Sequence, residues 1–274
     1  MTAGKPTAGT PEQGPERAEF DTGSPCSARV WNYWLGGTDN YPVDREVGES
    51  FRVLFPGIVD LARDSRGFLS RAVTHLAGEA GIRQFLDVGS GLPTADNTHQ
   101  IAQRVAPEAR VVCADNDPLV LAQARTLLVS TPEGVTDCVG ADLNDPGPLV
   151  RKVWSILDPD EPVALILMQV VGHIAPYDRA LSIVNRLMAA LPSGSYLVLN
   201  DSVDTHRGNA EATRLYNDSG AAPYHLRGHD RISGFFEGLE LLDPGVVPPA
   251  RWRPAPGAAV DGEVIAHGGV GRKP

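Results

Sequence analysis

The sequence has few cysteines, an excess of acidic over basic residues, and no long apolar run. Its three cysteines, Cys26, Cys113 and Cys138, form no CxxC pair, which argues against a disulfide framework or a zinc knuckle and favours a reducing, cytoplasmic setting. The 24 Lys and Arg residues against 34 Asp and Glu residues leave a formal net charge of −10, which disfavours nucleic acid and anionic membranes as partners. The longest apolar run, residues 163–171, contains Gln169 and falls well short of the roughly 18–20 residues that span a bilayer. These absences together indicate a soluble intracellular protein.

Three regions differ in composition along the chain. Residues 1–23 contain only Met1 and Phe20 as large apolar side chains, so they cannot bury enough surface to fold and are predicted to be a disordered tail. The same stretch lacks the apolar core of a secretion signal. Residues 24–82 repeat apolar side chains at helical spacing and predict a helical cap, and residues 83–274 predict a ligand-binding domain.

Short apolar runs alternate with helical stretches throughout that larger domain. Helices are expected to start near Thr94, Pro118, Gly147 and Pro176. This alternation is typical of βαβ units and predicts a doubly wound α/β fold around a mostly parallel sheet. The predicted strands are residues 84–88, 109–114, 135–139, 162–171 and 195–200, followed by two further strands at 239–247 and 263–267.

A glycine turn follows the first predicted strand. Gly89, Ser90 and Gly91 would let the backbone approach a nucleotide-type cofactor closely. A dinucleotide fingerprint needs a further glycine where Thr94 stands, which weakens a pyrophosphate interpretation. Asp87, two residues before the turn, would repel a diphosphate but suits an ammonium or sulfonium group. The turn therefore favours S-adenosylmethionine over NAD.

Acidic residues also follow the second and third predicted strands. Asp115, with Asn116 beside it, lies 24 residues after the second glycine of the turn, close to the spacing at which an acid holds a ribose diol. Asp117 precedes a helix and is better explained as its N-cap. Asp142, next to Leu143, can accept a hydrogen bond from an adenine amino group, or it can simply satisfy N–H groups of a turn.

These motifs carry a family resemblance. The set LDVGSG, ADNDP and ADL resembles Rossmann-like S-adenosylmethionine-dependent methyltransferases. Residues 28–46, together with GLPTADNTHQIAQ and GGVGRKP, are similar to one narrower set, an S-adenosyl methyltransferase family formerly classed as a domain of unknown function. The chain departs from the wider class at Pro93, where a glycine is usual, and from the narrower family at Trp31, Asn32 and Thr38. The resemblance implies a seven-stranded class I methyltransferase sheet, a helical cap, bound S-adenosyl-L-methionine and an unassigned substrate.

Further site residues follow from the cap sequence and from the resemblance. Tyr33, Gly37 and Asn40 gather at a glycine-broken helix end, which is either a lid edge that contacts the cofactor or a packed helix with a solvated loop. In the resembled class the fourth strand ends beside the transferred methyl group, which implies a place there for Gln169. His173, just beyond, is a candidate general base, although a lone histidine at a strand end is more often structural.

The segment after the fifth strand is rich in polar and aromatic side chains. These residues could line a substrate site or form a surface loop, and they lack the third ligand that a zinc site needs, so no metal is predicted. The side chains are Tyr216, Tyr224, His225, His229 and Asp230.

The sequence thus predicts methyl transfer to an O, N or C atom of an unidentified small molecule, in a closed site that need not use a dedicated base. Two alternatives remain open at this point. A regulatory protein that senses S-adenosylmethionine would keep the three acids but lack an acceptor pocket. An NAD-dependent oxidoreductase would need the missing glycine.

Overall fold

The computed structural model describes residues 21–94, 96–258 and 264–274. The predicted tail therefore lies, apart from residues 21–23, outside the described residues. Within the described ranges, seven strands form one sheet in the order β3-β2-β1-β4-β5-β7-β6, with β7 antiparallel to both of its neighbours. The strands are β1 (Gln84–Val88), β2 (Arg110–Asp115), β3 (Val135–Gly140), β4 (Val163–Met168), β5 (Tyr196–Ser202), β6 (Glu240–Leu241) and β7 (Ala266–Arg272). The predicted fold class is confirmed.

Local sequence signals set the helix starts. Pro118 opens α5 behind the cap residue Asp117, whose carboxylate accepts from the Leu119 N–H at 2.7 Å. Helix α4 starts later than predicted, because the side chain of Asn97 accepts from the Thr94 N–H and ends the preceding loop there. The helices are α1 (Ser27–Trp34), α2 (Pro42–Leu54), α3 (Ile58–Gly78), α4 (Thr98–Val105), α5 (Pro118–Leu127), α6 (Pro146–Val153), α7 (Tyr177–Ala189), α8 (Arg207–Asn217) and α9 (His229–Gly234).

The core lies on both faces of the sheet. On one face the second half of α3 packs with α4 against the sheet, around Phe68, Phe85 and Trp252, and Phe68 and Trp252 meet edge to face at 5.4 Å. Leu149 of α6 and Val184 of α7 belong to the cluster on the opposite face. Burying each such side chain stabilises the fold by roughly 1.5–3 kcal/mol.

The cap predicted for residues 24–82 is formed by α1, α2 and the first half of α3. Trp34 and Phe51 pack at 5.1 Å in a cluster that also includes Tyr216 of α8. Since α3 begins in this cluster and ends on the sheet, it fixes the cap over the carboxyl ends of the strands.

The last two strands differ from their predicted bounds. The segment predicted as a strand over 239–247 forms only the two-residue β6, and β7 runs further toward the C-terminus than the predicted 263–267, of which residue 263 lies outside the described residues. A Cβ at Gly268 would lie 2.6 Å from the Asn200 Cβ, so the close approach of β7 to β5 at this position requires a glycine.

The fourth strand is also shorter than predicted. It ends at Met168 because Gln169 adopts φ 56°, in the left-handed region, and a short 3-10 turn at Val171–His173 follows. The chain leaves the sheet at this point and turns toward the cap.

Candidate active site

A cavity of about 400 Å³ lies at the carboxyl ends of β1 to β4, beneath α1. This is the edge at which open α/β sheets bind ligands. Many of the predicted residues line it: Gly89, Ser90, Gly91, Asp115, Asn116, Asp142, Leu143, Gln169 and His173. The structure thus brings together the motifs that follow four separate strands.

The glycine turn forms one wall of the cavity. Gly89 and Gly91 have φ values of 74° and 67°, which L side chains rarely adopt. A Cβ at Gly89 would lie 2.6 Å from Val170 Cγ2, whereas a Cβ at Gly91 would meet no atom within 4 Å. The turn therefore packs tightly against the segment after β4 and leaves open space over Gly91, where a ligand can approach the backbone.

Asp115 at the end of β2 is held by the backbone around it. Its Oδ2 accepts from the Gly91 N–H and its Oδ1 from the Asp117 N–H, each at 3.0 Å. The residue is buried, and burial raises the pKa of the carboxyl above its ordinary value. Each oxygen keeps a second lone pair, so the carboxylate can still accept from two ligand hydroxyls.

Asp117 caps α5, as predicted, but it has a second partner. The thiol of Cys26, just before α1, donates to Asp117 Oδ2 at 2.6 Å. The helical cap is therefore hydrogen-bonded to the loop that follows Asp115.

Asp142 makes the hydrogen bonds of a turn and also lines the cavity. It is exposed, lines the cavity, and accepts from the Asn144 N–H at 2.8 Å and from the Asn144 side-chain amide at 3.1 Å. The turn carboxylate thus also faces the ligand space, next to the buried Leu143.

Asp87 is not among the residues that line the cavity, contrary to the expectation that it reaches an ammonium group. Its side chain is buried and accepts from Thr98 Oγ1 at 2.6 Å, which directs it toward α4. Burial raises the pKa of this carboxyl, and the positive charge of Arg66 opposes that rise. Asp87 therefore lies behind the glycine turn.

The cap residues that were expected to contact the cofactor have other neighbours in the structure. Tyr33, Gly37 and Asn40 do not line the cavity. The Tyr33 hydroxyl donates to Glu49 at 2.8 Å, and the Asn40 amide donates to Asn32 Oδ1 at 2.8 Å. A helix turns about 100° per residue, so Tyr33 lies on a different face of α1 from the lining residue Trp31, and Gly37 and Asn40 lie beyond the end of the helix. The residues before α2 that do line the cavity are Pro25, Cys26, Ser27, Ala28, Trp31, Asn32 and Leu35.

Arg66 is a lining residue that the sequence interpretation missed. It projects from α3 into the cavity wall and donates to the Asp96 carbonyl oxygen at 2.7 Å. Burial lowers the pKa of its guanidinium, but the group stays cationic at neutral pH. It contributes a positive charge close to the glycine turn.

A second, smaller cavity of about 30 Å³ adjoins the first. The two cavities share Trp31, Gln169 and His173. The remaining walls are mostly apolar and aromatic and include Trp34, Phe51, Ile58, Tyr216, Tyr224 and Leu226. Two residues singled out after the fifth strand, Tyr216 and Tyr224, thus border this pocket.

His173 has a defined hydrogen-bonding state. Its Nδ1 lies 2.9 Å from the carbonyl oxygen of Pro223, and since a carbonyl only accepts, Nδ1 carries the hydrogen. Burial lowers the pKa of the imidazole, so the ring is neutral at pH 7. Its Nε2 is therefore a hydrogen-bond acceptor.

A buried polar network stands behind the small pocket. Asp201 of β5 pairs with Arg227 at 2.8 Å, and both side chains are almost fully buried. The Tyr224 hydroxyl donates to the other oxygen of the Asp201 carboxylate. Gly172 makes room for this tyrosine, because any Cβ there would collide with the ring. The network fixes the position of the Tyr224 hydroxyl beside Gln169.

Neither a metal cluster nor a membrane-spanning segment is found in the described ranges. No group of three or more His, Cys, Asp or Glu side chains there is placed to hold a metal ion. No helix there is both long and apolar enough to cross a membrane.

The ring of His229, another residue singled out after the fifth strand, packs against the ring of His267, with the ring centres 4.5 Å apart.

Two solved structures are similar to this chain over most of its length. The chain is 43% identical to a DUF574 family protein from Streptomyces avermitilis, with a TM-score of 0.89 over 93% of this chain and 99% of that one. It is 37% identical to a candidate methyltransferase from Thermobifida fusca, with a TM-score of 0.86 over 92% and 96% of the two chains. A comparison with curated proteins found no match.

More distant structures share the fold. Magnesium protoporphyrin IX methyltransferase from Synechocystis, solved with bound S-adenosylhomocysteine, is 12% identical, with a TM-score of 0.53 over 89% of this chain and 93% of that one.

A model of the S-adenosyl methyltransferase family matches residues 13–274. The chain therefore belongs to the S-adenosyl methyltransferase family, and its family and fold are those of an enzyme that uses S-adenosylmethionine.

Proposed function

We propose that this enzyme methylates a small molecule whose reactive group lies at the wall shared by the two cavities. In this proposal S-adenosylmethionine occupies the larger cavity and the apolar part of the acceptor contacts the aromatic pocket. The single observation that carries the proposal is the Asp115 carboxylate, which two backbone N–H groups hold at the edge of the larger cavity, beside the open space over Gly91.

The residues at the β2 and β3 ends fit an adenosine group. Asp115 has free lone pairs for the two ribose hydroxyls, in charge-assisted hydrogen bonds. Asn116 extends the same wall, and Leu143 offers an apolar surface for a purine beside the exposed carboxylate of Asp142. Asp142 is proposed to accept from the adenine amino group.

The other end of the cavity fits an amino acid group. The Arg66 guanidinium is proposed to hold the carboxylate of the methionine part, whereas Asp87, predicted to face its ammonium group, is directed toward Thr98. Gly89, Ser90 and Gly91 would leave the backbone close to the same group. Tyr33, Gly37 and Asn40 act at a distance, Asn40 by orienting the lining residue Asn32.

The aromatic walls of the small pocket are proposed to contact the apolar part of an acceptor. Aromatic walls recognise flat or aliphatic groups by contact area rather than by charge. A structure of the same fold from Planctomyces limnophilus, an O-methyltransferase family 2 protein with a TM-score of 0.50, holds the small molecule apigenin, which agrees with a small acceptor here. Its 17% identity extends the likeness to the fold alone.

S-adenosylmethionine, when bound, supplies an electrophilic methyl group on sulfur. The chain would orient the acceptor against that group between Trp31, Gln169 and His173, and the cap would keep water out. The Nε2 of His173 is proposed to take the proton that the acceptor releases.

Calorimetry with S-adenosylhomocysteine and with NAD tests this function. S-adenosylhomocysteine is expected to bind, because Asp115 can hold its one ribose. NAD is expected to give no measurable heat, because the glycine turn lacks the last glycine of the dinucleotide motif, which brings a helix N-terminus to the pyrophosphate. Binding of NAD without S-adenosylhomocysteine would refute the proposal.

A further inference from the structure

Gln169 occupies an unusual position between the two cavities. It is 5% exposed, its backbone φ of 56° lies in the left-handed region, and its side chain lines both cavities. A non-glycine residue is kept in such a conformation only where its surroundings require it, and such residues cluster at functional sites. The direction in which this amide presents its oxygen therefore bears on what binds beside it.

The amide has two polar neighbours on one side and none on the other. Its Oε1 lies 2.8 Å from the Tyr224 hydroxyl and 2.8 Å from Ser202 Oγ. Its Nε2 is buried and has no hydrogen-bond partner. As placed, the two amide hydrogens are thus both unsatisfied, which is costly for a buried donor.

Counting hydrogens shows that the opposite orientation is better. The tyrosine hydroxyl has one hydrogen, and it is committed to the Asp201 carboxylate, which Arg227 keeps ionised at neutral pH. The Tyr224 oxygen and the Gln169 oxygen would then face each other without a hydrogen between them. The oxygen and nitrogen of a glutamine amide are assigned from the hydrogen-bond network, so rotating the group by 180° is allowed.

In the rotated amide both amide hydrogens have an acceptor, and the Ser202 hydroxyl, which donates to the amide oxygen in the first orientation, turns its hydrogen toward Tyr224. The nitrogen donates one hydrogen to the Tyr224 oxygen and the other to Ser202 Oγ, at the positions where the oxygen stood. The amide oxygen then takes the position that has no protein partner. An unpaired carbonyl oxygen is tolerated better than an unpaired N–H group.

A second acceptor lies at the same wall. Because the Nδ1 hydrogen of His173 is used by the Pro223 carbonyl, its Nε2 has only a lone pair to offer. Gln169 and His173 both line the two cavities, so the shared wall carries two side chains whose remaining hydrogen-bonding atom is an acceptor.

We propose that the methyl acceptor presents an amine or hydroxyl hydrogen to Gln169 Oε1 and His173 Nε2, and that the site rejects carboxylates. This inference rests on the proposed function. A carboxylate has no hydrogen to donate, and its negative charge would face two lone pairs. A site built to pair with a hydrogen-bearing group discriminates strongly against an analogue that lacks it.

The amide orientation is tested first, in the protein without ligand. The side-chain NH₂ resonances of Gln169 are identified in the ¹⁵N spectrum by their loss in Gln169→Leu. Strong nuclear Overhauser contacts from these hydrogens to the Ser202 β protons and the Tyr224 ring are expected. Contacts to neither residue would overturn the inference.

Substrate class is tested with phenol, aniline and benzoate, which share a six-membered ring and differ in the reacting group. In the S-adenosylhomocysteine complex, phenol and aniline are expected to bind at least about tenfold more tightly than benzoate, and Gln169→Leu to reduce that preference. Benzoate binding as tightly as phenol, or no binding by any of the three probes, would overturn the inference. Failure of S-adenosylhomocysteine itself to bind would instead refute the proposed function, and the amide result would still stand.

Discussion

Substitution of Asp115 by alanine tests the cofactor site most directly. The carboxylate is 8% exposed, and each oxygen already accepts one backbone N–H at 3.0 Å. It is therefore held in place before a ligand arrives, so little ordering entropy opposes its hydrogen bonds to a ribose. Two charge-assisted hydrogen bonds, each worth about 1.5–3 kcal/mol before competition with water, should give a net loss of about 2–3 kcal/mol in the variant.

That loss corresponds to roughly 30- to 150-fold weaker binding of S-adenosylhomocysteine. The variant should also unfold at a lower temperature without ligand, because the N–H groups of Gly91 and Asp117 lose their partner. Asp137→Ala is the matched control, since it removes the same charge from an exposed position on the neighbouring strand β3. It should leave affinity unchanged.

Isothermal calorimetry measures the affinities, and thermal melts with and without S-adenosylhomocysteine separate binding from folding. A ligand-induced rise in melting temperature that is as large in Asp115→Ala as in the parent protein would refute the ribose assignment. Equal losses in Asp115→Ala and Asp137→Ala would show a general charge effect instead.

Three further outcomes are expected. Asp117→Ala should lower the free energy of unfolding by about 1 kcal/mol, measured with urea, because α5 loses its N-cap; no change would contradict the cap. Arg66→Met should weaken S-adenosylhomocysteine at least about tenfold but leave 5′-methylthioadenosine, which lacks the amino acid group, unaffected in calorimetry; equal losses for both ligands would remove Arg66 from the methionine end. Burial raises the pKa of Asp201 to about 6, so its contribution to stability is present below its ordinary pKa of 3.8 and is lost as pH rises through about 6. Asp201→Asn should remove that part of the pH dependence in urea unfolding between about pH 4 and 6, and parallel profiles for the two proteins would contradict it.

The elements whose signals are local were predictable from the sequence. Residues 84–88 form β1 as predicted, and Asp117 before Pro118 caps α5, because a cap and a first-turn proline act within a few residues. The order of the glycine turn and Asp115 along the chain likewise placed them at one sheet edge, since the carboxyl ends of parallel strands lie together.

The direction of a side chain was not predictable on a strand whose two faces are both buried. All five residues of β1 are buried, so no alternation of polar and apolar residues indicates which way Asp87 points. Arg66 was missed because a cation on a helix reaches a cavity by packing, which no spacing to the glycine turn encodes. On α1, Tyr33 was predicted to face the cofactor, but Trp31 lines the cavity instead. Two residues along a helix correspond to a rotation of about 200°, so a small error in the predicted position selects the opposite face.

The hydrogen bond between Cys26 and Asp117 has a consequence for chemical labelling. Burial and the neighbouring carboxylate raise the pKa of the Cys26 thiol to about 12, and burial raises those of Cys113 and Cys138 as well. Since the thiolate is the form that reacts with maleimides and iodoacetamide, all three native cysteines should react slowly. A cysteine introduced at an exposed position such as Val53 on α2 or Val129 after α5 would then carry a fluorophore almost alone, without removal of the native thiols. A pair of such dyes would report the distance between cap and sheet as cofactor is added.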